Sequence, residues 1–370
     1  MRKRKRKDNA EGLKILRGLV QWSCVYLIVV VHLKFGSHYI LLIQISPMIN
    51  AYIRGTGSYA PKNIIKNEFF ETIGSSDEWI YENLGIRERR ISEGEATSDL
   101  AYKAGLAAIE DAGLLPVDID LIIVATATAD RPAPSCACFV QEKLVAKNAV
   151  AFDLSAVCSG ALFAMATAVQ YIKSGMYKNI LVIGADTFST ITDWSRRDAV
   201  FFGDGAGAML LSDTNEDKGF IDFVLHSDGT GKEHFTILAG GSATPATQET
   251  IANGQHYFQM NGREVFKAAV EVVPKCISEI LMKNNLTIDE IKFLLPHQPS
   301  IKILQEIAKR INMPFEKVKT NMDRYANTSG GTVPIILDET FKNNELEKGD
   351  LLLFATVGAG WTWGTALYKC

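Results

Sequence analysis

Two apolar runs, Leu121-Ile122-Ile123-Val124-Ala125 and Asn179-Ile180-Leu181-Val182-Ile183-Gly184-Ala185, most tightly constrain the fold of this chain. Neither shows the in-out alternation of a half-exposed strand, so each predicts a strand buried on both faces. An amphipathic stretch precedes each one, Ser98 to Ala112 and Ala161 to Ser174, with helical spacing of its apolar positions. Gly205-Ala206-Gly207-Ala208-Met209-Leu210-Leu211 reads as a third strand. The pattern returns later, with a long helix from Gly262 to Asn284, a strand at Ile291–Leu295, a helix from Ile301 to Arg310 and strands at Leu351–Ala355 and Gly364–Tyr368. Strands alternating with helices predict an α/β fold with helix-covered sheets, and the repeated order predicts a duplicated architecture. No proline- or serine-rich linker separates the halves, so 48–220 and 221–370 are expected to pack as one body.

Residues 1–47 differ in texture. A basic run, Arg2-Lys3-Arg4-Lys5-Arg6-Lys7, precedes an apolar stretch from Leu19 to Leu33, in the manner of a signal peptide or weak membrane anchor. Gln21 and Ser23 interrupt that stretch, which is shorter than the ~20 residues a spanning helix needs. Translation is therefore expected to begin at Met48, with 1–47 as an extension.

The net charge of −3 gives no global basis for binding nucleic acid, so a phosphate-bearing ligand would need a local basic patch. The six cysteines are too sparse and irregular for a disulfide framework, and Cys136 and Cys138 lack the partners of a zinc site. A reducing cytoplasm is expected.

One cysteine stands apart. In Asp153-Leu154-Ser155-Ala156-Val157-Cys158-Ser159-Gly160-Ala161 a short strand ends, small residues surround Cys158, and a helix begins just beyond it. A helix N-terminus stabilises a thiolate, and small neighbours admit a substrate. Read alone, Cys158 is equally a small core residue. His297, in Pro296-His297-Gln298, closes a buried strand, as catalytic groups of α/β proteins often do. Asn327, in the glycine-rich Asn327-Thr328-Ser329-Gly330-Gly331, reads alone as a turn-former. In Val357-Gly358-Ala359-Gly360-Trp361, small residues after a strand can present backbone N–H groups to an oxyanion or simply turn the chain. His226, His234 and His256 read as surface or loop residues.

Taken in order, Gly55-Thr56-Gly57-Ser58-Tyr59, Ser76-Asp77-Glu78-Trp79-Ile80, Gly85-Ile86-Arg87-Glu88-Arg89, the Cys158 segment, Phe202-Gly203-Asp204-Gly205-Ala206-Gly207, Pro296-His297-Gln298, Asn327-Thr328-Ser329 and Thr362-Trp363-Gly364 resemble the β-ketoacyl-acyl-carrier-protein synthase III family. The resemblance runs from about Ile49 to Cys370. It implies a thiolase-like α/β/α/β/α fold and a homodimer. It also implies decarboxylative condensation of an acyl-CoA or acyl-carrier-protein primer with malonyl-carrier protein, as in the initiation of fatty-acid synthesis. Cys158 would carry the acyl group, and His297 and Asn327 would hold the malonyl thioester oxygen. Backbone groups of Cys158, Ala359 and Gly360 would form the oxyanion hole. No metal, flavin or nicotinamide is implied, coenzyme A and phosphopantetheine thioesters being substrates.

Carrier contacts are expected from Trp79, Arg87, Ser300, Lys302 and one of Arg196 and Arg197. Several depart from the family pattern. Pro299-Ser300 replaces an alanine–asparagine pair, Lys302 an arginine and Asn83 another arginine. Lysine lacks the two-pronged phosphate geometry of arginine, which shifts the expectation toward a carrier-protein-bound primer. Ala133 stands where some members place a chain-limiting phenylalanine, so room for longer or branched chains is expected. Related enzymes of specialised metabolism, making resorcinols, quinolones or polyketides, share the triad and remain the alternative. A papain-like protease also orders Cys, His and Asn but needs a Cys-Gly-Ser-Cys-Trp signature that is missing here. A catalytically silent scaffold is the remaining rival.

Overall fold

The computed structural model describes residues 26–35, 38–47 and 49–370, so the basic run Arg2–Lys7 and the start of the apolar stretch lie outside the described residues. The chain divides into two units, Met1–Ile49 and Asn50–Cys370. In the first, β1 (Tyr26–Phe35) and β2 (His38–Pro47) pair antiparallel, with Tyr26 opposite Pro47. The apolar stretch from Tyr26 on is thus extended, in keeping with its β-branched Ile28-Val29-Val30-Val31 core. Among the described residues no helix is long and apolar enough to cross a membrane.

The second unit opens with β3 (Asn50–Tyr59), a short pair β4 (Asn63–Lys66) and β5 (Glu88–Ile91) flanking α1 (Asp77–Leu84), and α2 (Thr97–Asp111). Then come β6 (Leu121–Ala125), α3 (Cys136–Leu144), β7 (Val150–Leu154), α4 (Gly160–Lys173), β8 (Asn179–Asp186) and β9 (Gly205–Thr214). The second half holds β10 (Gly219–Ser227), a small hairpin of β11 (Phe235–Ile237) and β12 (Phe258–Met260), and α5 (Gly262–Lys283). It ends with β13 (Ile291–Pro296), α6 (Ile301–Arg310), α7 (Thr332–Lys342), β14 (Leu351–Gly358) and β15 (Thr362–Lys369).

The larger strands form two sheets, ordered β3-β9-β8-β6-β7 and β10-β15-β14-β13. In both, the first two pairings in that order are antiparallel and the next is parallel. The halves therefore share one strand plan, the first sheet adding β7 in parallel at its edge. Side chains of α4 and α7, among them Met165, Val169, Val333 and Leu337, join one core with Ile123 and Val182 of the first sheet and Leu295 and Phe354 of the second. These helices form the middle layer. Outside, α2 and α3 cover the first sheet, and α5 and α6 cover the second. The order is helices, sheet, helices, sheet, helices. The consequence for function is geometric. Strands of both halves end beside the same middle layer, so residues distant in sequence can meet at one cavity.

Candidate active site

Cys158 lies in a tight 3-10 turn, Val157–Ser159, between β7 and α4. Val157 adopts φ 48°, a left-handed conformation that costs a β-branched residue energy and persists only where packing enforces it. Gly358, at the end of β14, presses on this turn. A Cβ there would sit 2.9 Å from both the Ala156 oxygen and the Ser159 nitrogen, so only glycine fits.

Burial decides the state of the sulfur. It pushes the Cys158 thiol up to about 12, with nearby Asp186 adding to the rise and the Ser329 hydroxyl, 3.6 Å from Sγ, opposing it. The thiolate expected from the helix terminus is therefore not the resting form, because desolvation outweighs the local dipoles.

His297 follows directly on β13, where its backbone N–H donates to the Ala355 oxygen at 2.8 Å. Burial holds its conjugate acid down at about 3, so the ring is neutral. Its Nδ1 is 2.8 Å from the Thr332 hydroxyl. Asn327 is tied by backbone bonds to Phe201 and Gly203, and its Oδ1 accepts the Ser329 N–H at 2.8 Å. With Oδ1 engaged, the carboxamide turns its NH2 end to the cavity.

The segment carrying Asn327 is seated by Asp186 at the end of β8. This carboxylate accepts the N–H groups of Gly330 (2.9 Å) and Ala127 (2.7 Å) and the hydroxyls of Thr126 and Thr128. Burial raises its pKa against those bonds. Gly184, on the same strand, allows contact between backbones, since a Cβ would lie 2.0 Å from the Gly330 oxygen.

Cys158, His297 and Asn327 all line one cavity of about 380 Å³. Gly358 and Ala359 also border it, whereas Gly360 does not. Trp79, Asn83, Ser300 and Lys302 line it as well, Trp79 and Lys302 being exposed and Ser300 buried. Ser300 caps α6 by accepting the Ile303 N–H. The Arg197 guanidinium lies 4.5 Å from the Trp79 ring centroid, while Arg196 pairs with Asp198. Of the two arginines, Arg197 is thus the one beside Trp79. Arg87 is exposed, stacks on Tyr81 and does not border the cavity. Ala133 is likewise exposed and outside the lining of this chain's cavity.

Sequence reasoning missed the apolar end. Phe202 and Phe235 border the cavity, and Phe188 and Phe258 stand behind them with almost no solvent exposure. Phe188 stacks on Phe202 at 4.5 Å, and Phe235 on Phe258 at 5.5 Å. Val157 packs on this cluster. These rings are scattered between residues 188 and 258, so no local motif announces them. Asp186 was missed for the same reason, whereas Ser329 and Thr332 lie in or beside the quoted Asn327 segment and gave no sign of their contacts with Cys158 and His297.

Five alternating layers with a cysteine, a histidine and an asparagine around one cavity define the thiolase-like condensing enzymes, a class of acyltransferases. The chain belongs to the β-ketoacyl-[acyl-carrier-protein] synthase III family. The family description 3-oxoacyl-[acyl-carrier-protein] synthase III matches residues 152–229, and its C-terminal part matches 281–370. The β-ketoacyl-[acyl-carrier-protein] synthase III of Caldanaerobacter subterraneus subsp. tengcongensis is 45% identical over 324 residues, 87% of this chain and 98% of that protein. That of Clostridium acetobutylicum is 44% identical over 325 residues, covering 87% and 99%. Among solved structures, the Aquifex aeolicus synthase III superposes with a TM-score of 0.80 at 38% identity, covering 86% of this chain and all of that one. The priming β-ketosynthase of the R1128 polyketide pathway superposes equally well, TM-score 0.80, at 29% identity, covering 86% and 96%.

Proposed function

We propose that this chain starts fatty-acid synthesis by joining an acyl thioester primer to malonyl-acyl-carrier protein, with Cys158 as the acyl carrier. The observation that carries this reading is the convergence of Cys158, His297 and Asn327 on one cavity. Cys158 Sγ attacks the primer carbonyl, the bond to the carrier sulfur breaks, and the cysteine proton leaves on the departing thiol. A malonyl thioester then binds with its carbonyl oxygen between His297 and Asn327. Its carboxylate departs as carbon dioxide, and the electron pair moves onto that oxygen as an enolate. Two fixed donors stabilise this growing charge more than the starting ester, which lowers the barrier. The enolate carbon attacks the acyl-cysteine, and backbone N–H groups of Cys158 and Ala359 hold the tetrahedral oxyanion. Collapse releases 3-oxoacyl-carrier protein and returns Cys158 to the thiol. Only coenzyme A or phosphopantetheine thioesters enter this cycle, as befits a cytoplasmic enzyme.

Trp79 with Arg197 and Lys302 supply a flat face and cations at the mouth for a carrier arm. The lysine in place of a two-pronged arginine favours a protein-bound primer carrier. Phe202 and Phe235, and not Ala133, border this chain's cavity, which favours short acyl groups over the longer or branched chains expected from Ala133. A homodimer is supported by β7, a sheet edge whose Phe152 and Leu154 remain partly exposed and need a cover.

Intact-mass measurement tests the reading. Incubation with acyl-CoA or acyl-carrier protein should add one acyl mass, lost in Cys158→Ala, and malonyl-carrier protein should then discharge it with release of carbon dioxide. An acyl adduct that persists in Cys158→Ala, or an acyl-enzyme inert toward malonyl-carrier protein, defeats it. Discharge to a resorcinol or quinolone product would favour the specialised-metabolism alternative.

A further inference from the structure

The donor role given to His297 requires a proton on Nε2, and a neutral imidazole has only one to place. The nitrogen that holds it is set by what the other nitrogen meets. Here Nδ1 meets the Thr332 hydroxyl at 2.8 Å. That hydroxyl is also 2.9 Å from the Ser329 carbonyl oxygen, which can only accept. The two acceptors compete for one hydroxyl proton. If it goes to Ser329, Nδ1 must carry the ring proton, and Nε2 faces the cavity as a bare lone pair. If it goes to Nδ1, Nε2 becomes the donor. The Ser329 oxygen already accepts the backbone N–H of Thr332, so it does not depend on the hydroxyl. A thioester oxygen seated beside the Asn327 NH2 group repels a bare Nε2 and attracts an Nε2–H.

We infer that Thr332 is the positioning residue that holds His297 as an Nε2–H donor, through a hydroxyl hydrogen bond into Nδ1. This rests on the condensation reading above. Thr332 begins α7 and lies in the same short segment as Ser329 and Asn327. That segment therefore sets the polarity of both donors, Ser329 N–H fixing the carboxamide and Thr332 O–H fixing the imidazole. Loading of Cys158 involves no donation from His297 and should not depend on Thr332.

The test separates the half-reactions. In Thr332→Val, discharge of a preloaded acyl-enzyme by malonyl-carrier protein should slow about 10-fold, the worth of one orienting hydrogen bond. Acyl loading should stay within about twofold of wild type, and Thr332→Ser should restore discharge. Nitrogen-15 spectra of histidine-labelled wild-type protein should show His297 protonated at Nε2, with the Nδ1–H form growing in Thr332→Val. Equal slowing of both half-reactions, undiminished discharge, failure of the serine variant to rescue, or an Nδ1–H ring in the wild type would overturn the inference. Wild-type protein that neither loads nor discharges would instead remove the condensation reading itself.

Discussion

The sulfur of Cys158 lies 3.6 Å from the hydroxyl of Ser329, a residue 171 positions further along the chain. The contact opposes burial, the dominant influence on the thiol, and it comes from the segment that presents Asn327. Cys158 and the Asn327 segment are therefore mechanically linked. Ser329→Ala removes a hydroxyl whose contact favours the thiolate. The thiol should titrate at still higher pH, and alkylation by iodoacetamide at fixed pH should slow roughly fivefold, the worth of about 1 kcal/mol. An unchanged alkylation profile would show that the hydroxyl does not touch the sulfur in solution.

His297 predicts a pH dependence of stability. Folding lowers its pKa from 6.5 to about 3, by burial. As pH falls through that window, the unfolded chain takes up a proton that the folded ring refuses, so stability present above pH 6.5 is progressively lost toward pH 3. Urea midpoints measured at neutral pH and in mild acid should drop less in His297→Gln than in wild type. Parallel losses in the two proteins would contradict the assignment.

Gly184→Ala probes the join between β8 and the Asn327 segment. The added methyl would meet the Gly330 backbone oxygen at 2.0 Å, and Asp186 holds Gly330 in place through its N–H. The strain should destabilise the protein by about 3 kcal/mol and displace the donor segment. Activity per folded molecule should fall well beyond the loss of folded protein, as seen by comparing denaturation curves with active-site titration. Full activity in the folded fraction would mean that the segment adjusts freely.

The phenyl wall makes a selectivity prediction. Phe235 borders the cavity and backs onto buried Phe258. Phe235→Ala should raise the ratio of long-chain to short-chain primer loading by about 10-fold, since each buried methylene of a longer chain then gains ~0.8 kcal/mol. Primer competition read by intact mass measures that ratio. An unaltered preference would locate the chain-length limit elsewhere in the cavity.

Much of the architecture is written locally. Leu121–Ala125 is a strand buried on every residue because nothing in it tolerates water, and Ile301–Arg310 is a helix with the limits its spacing predicts. Cys158, His297 and Asn327 each sit in a short segment of distinctive composition, but read alone Cys158 suits a core and Asn327 a turn, so it was the order of the motifs that marked them as candidates. The phenyl wall was not, since an isolated phenylalanine has the same local signature whether it lines a cavity or fills a core.

By itself, the sequence determined the alternation of strands and helices and the chemical groups available to the site, because hydrophobic period and residue identity are local properties. Tertiary structure alone decided that the sulfur rests as a thiol, that Arg197 rather than Arg196 meets Trp79, and that Ala133 stands apart from this chain's cavity. Each of those outcomes depends on solvent exclusion or on distance between remote segments. Both arise only when the two sheets close around their shared helices.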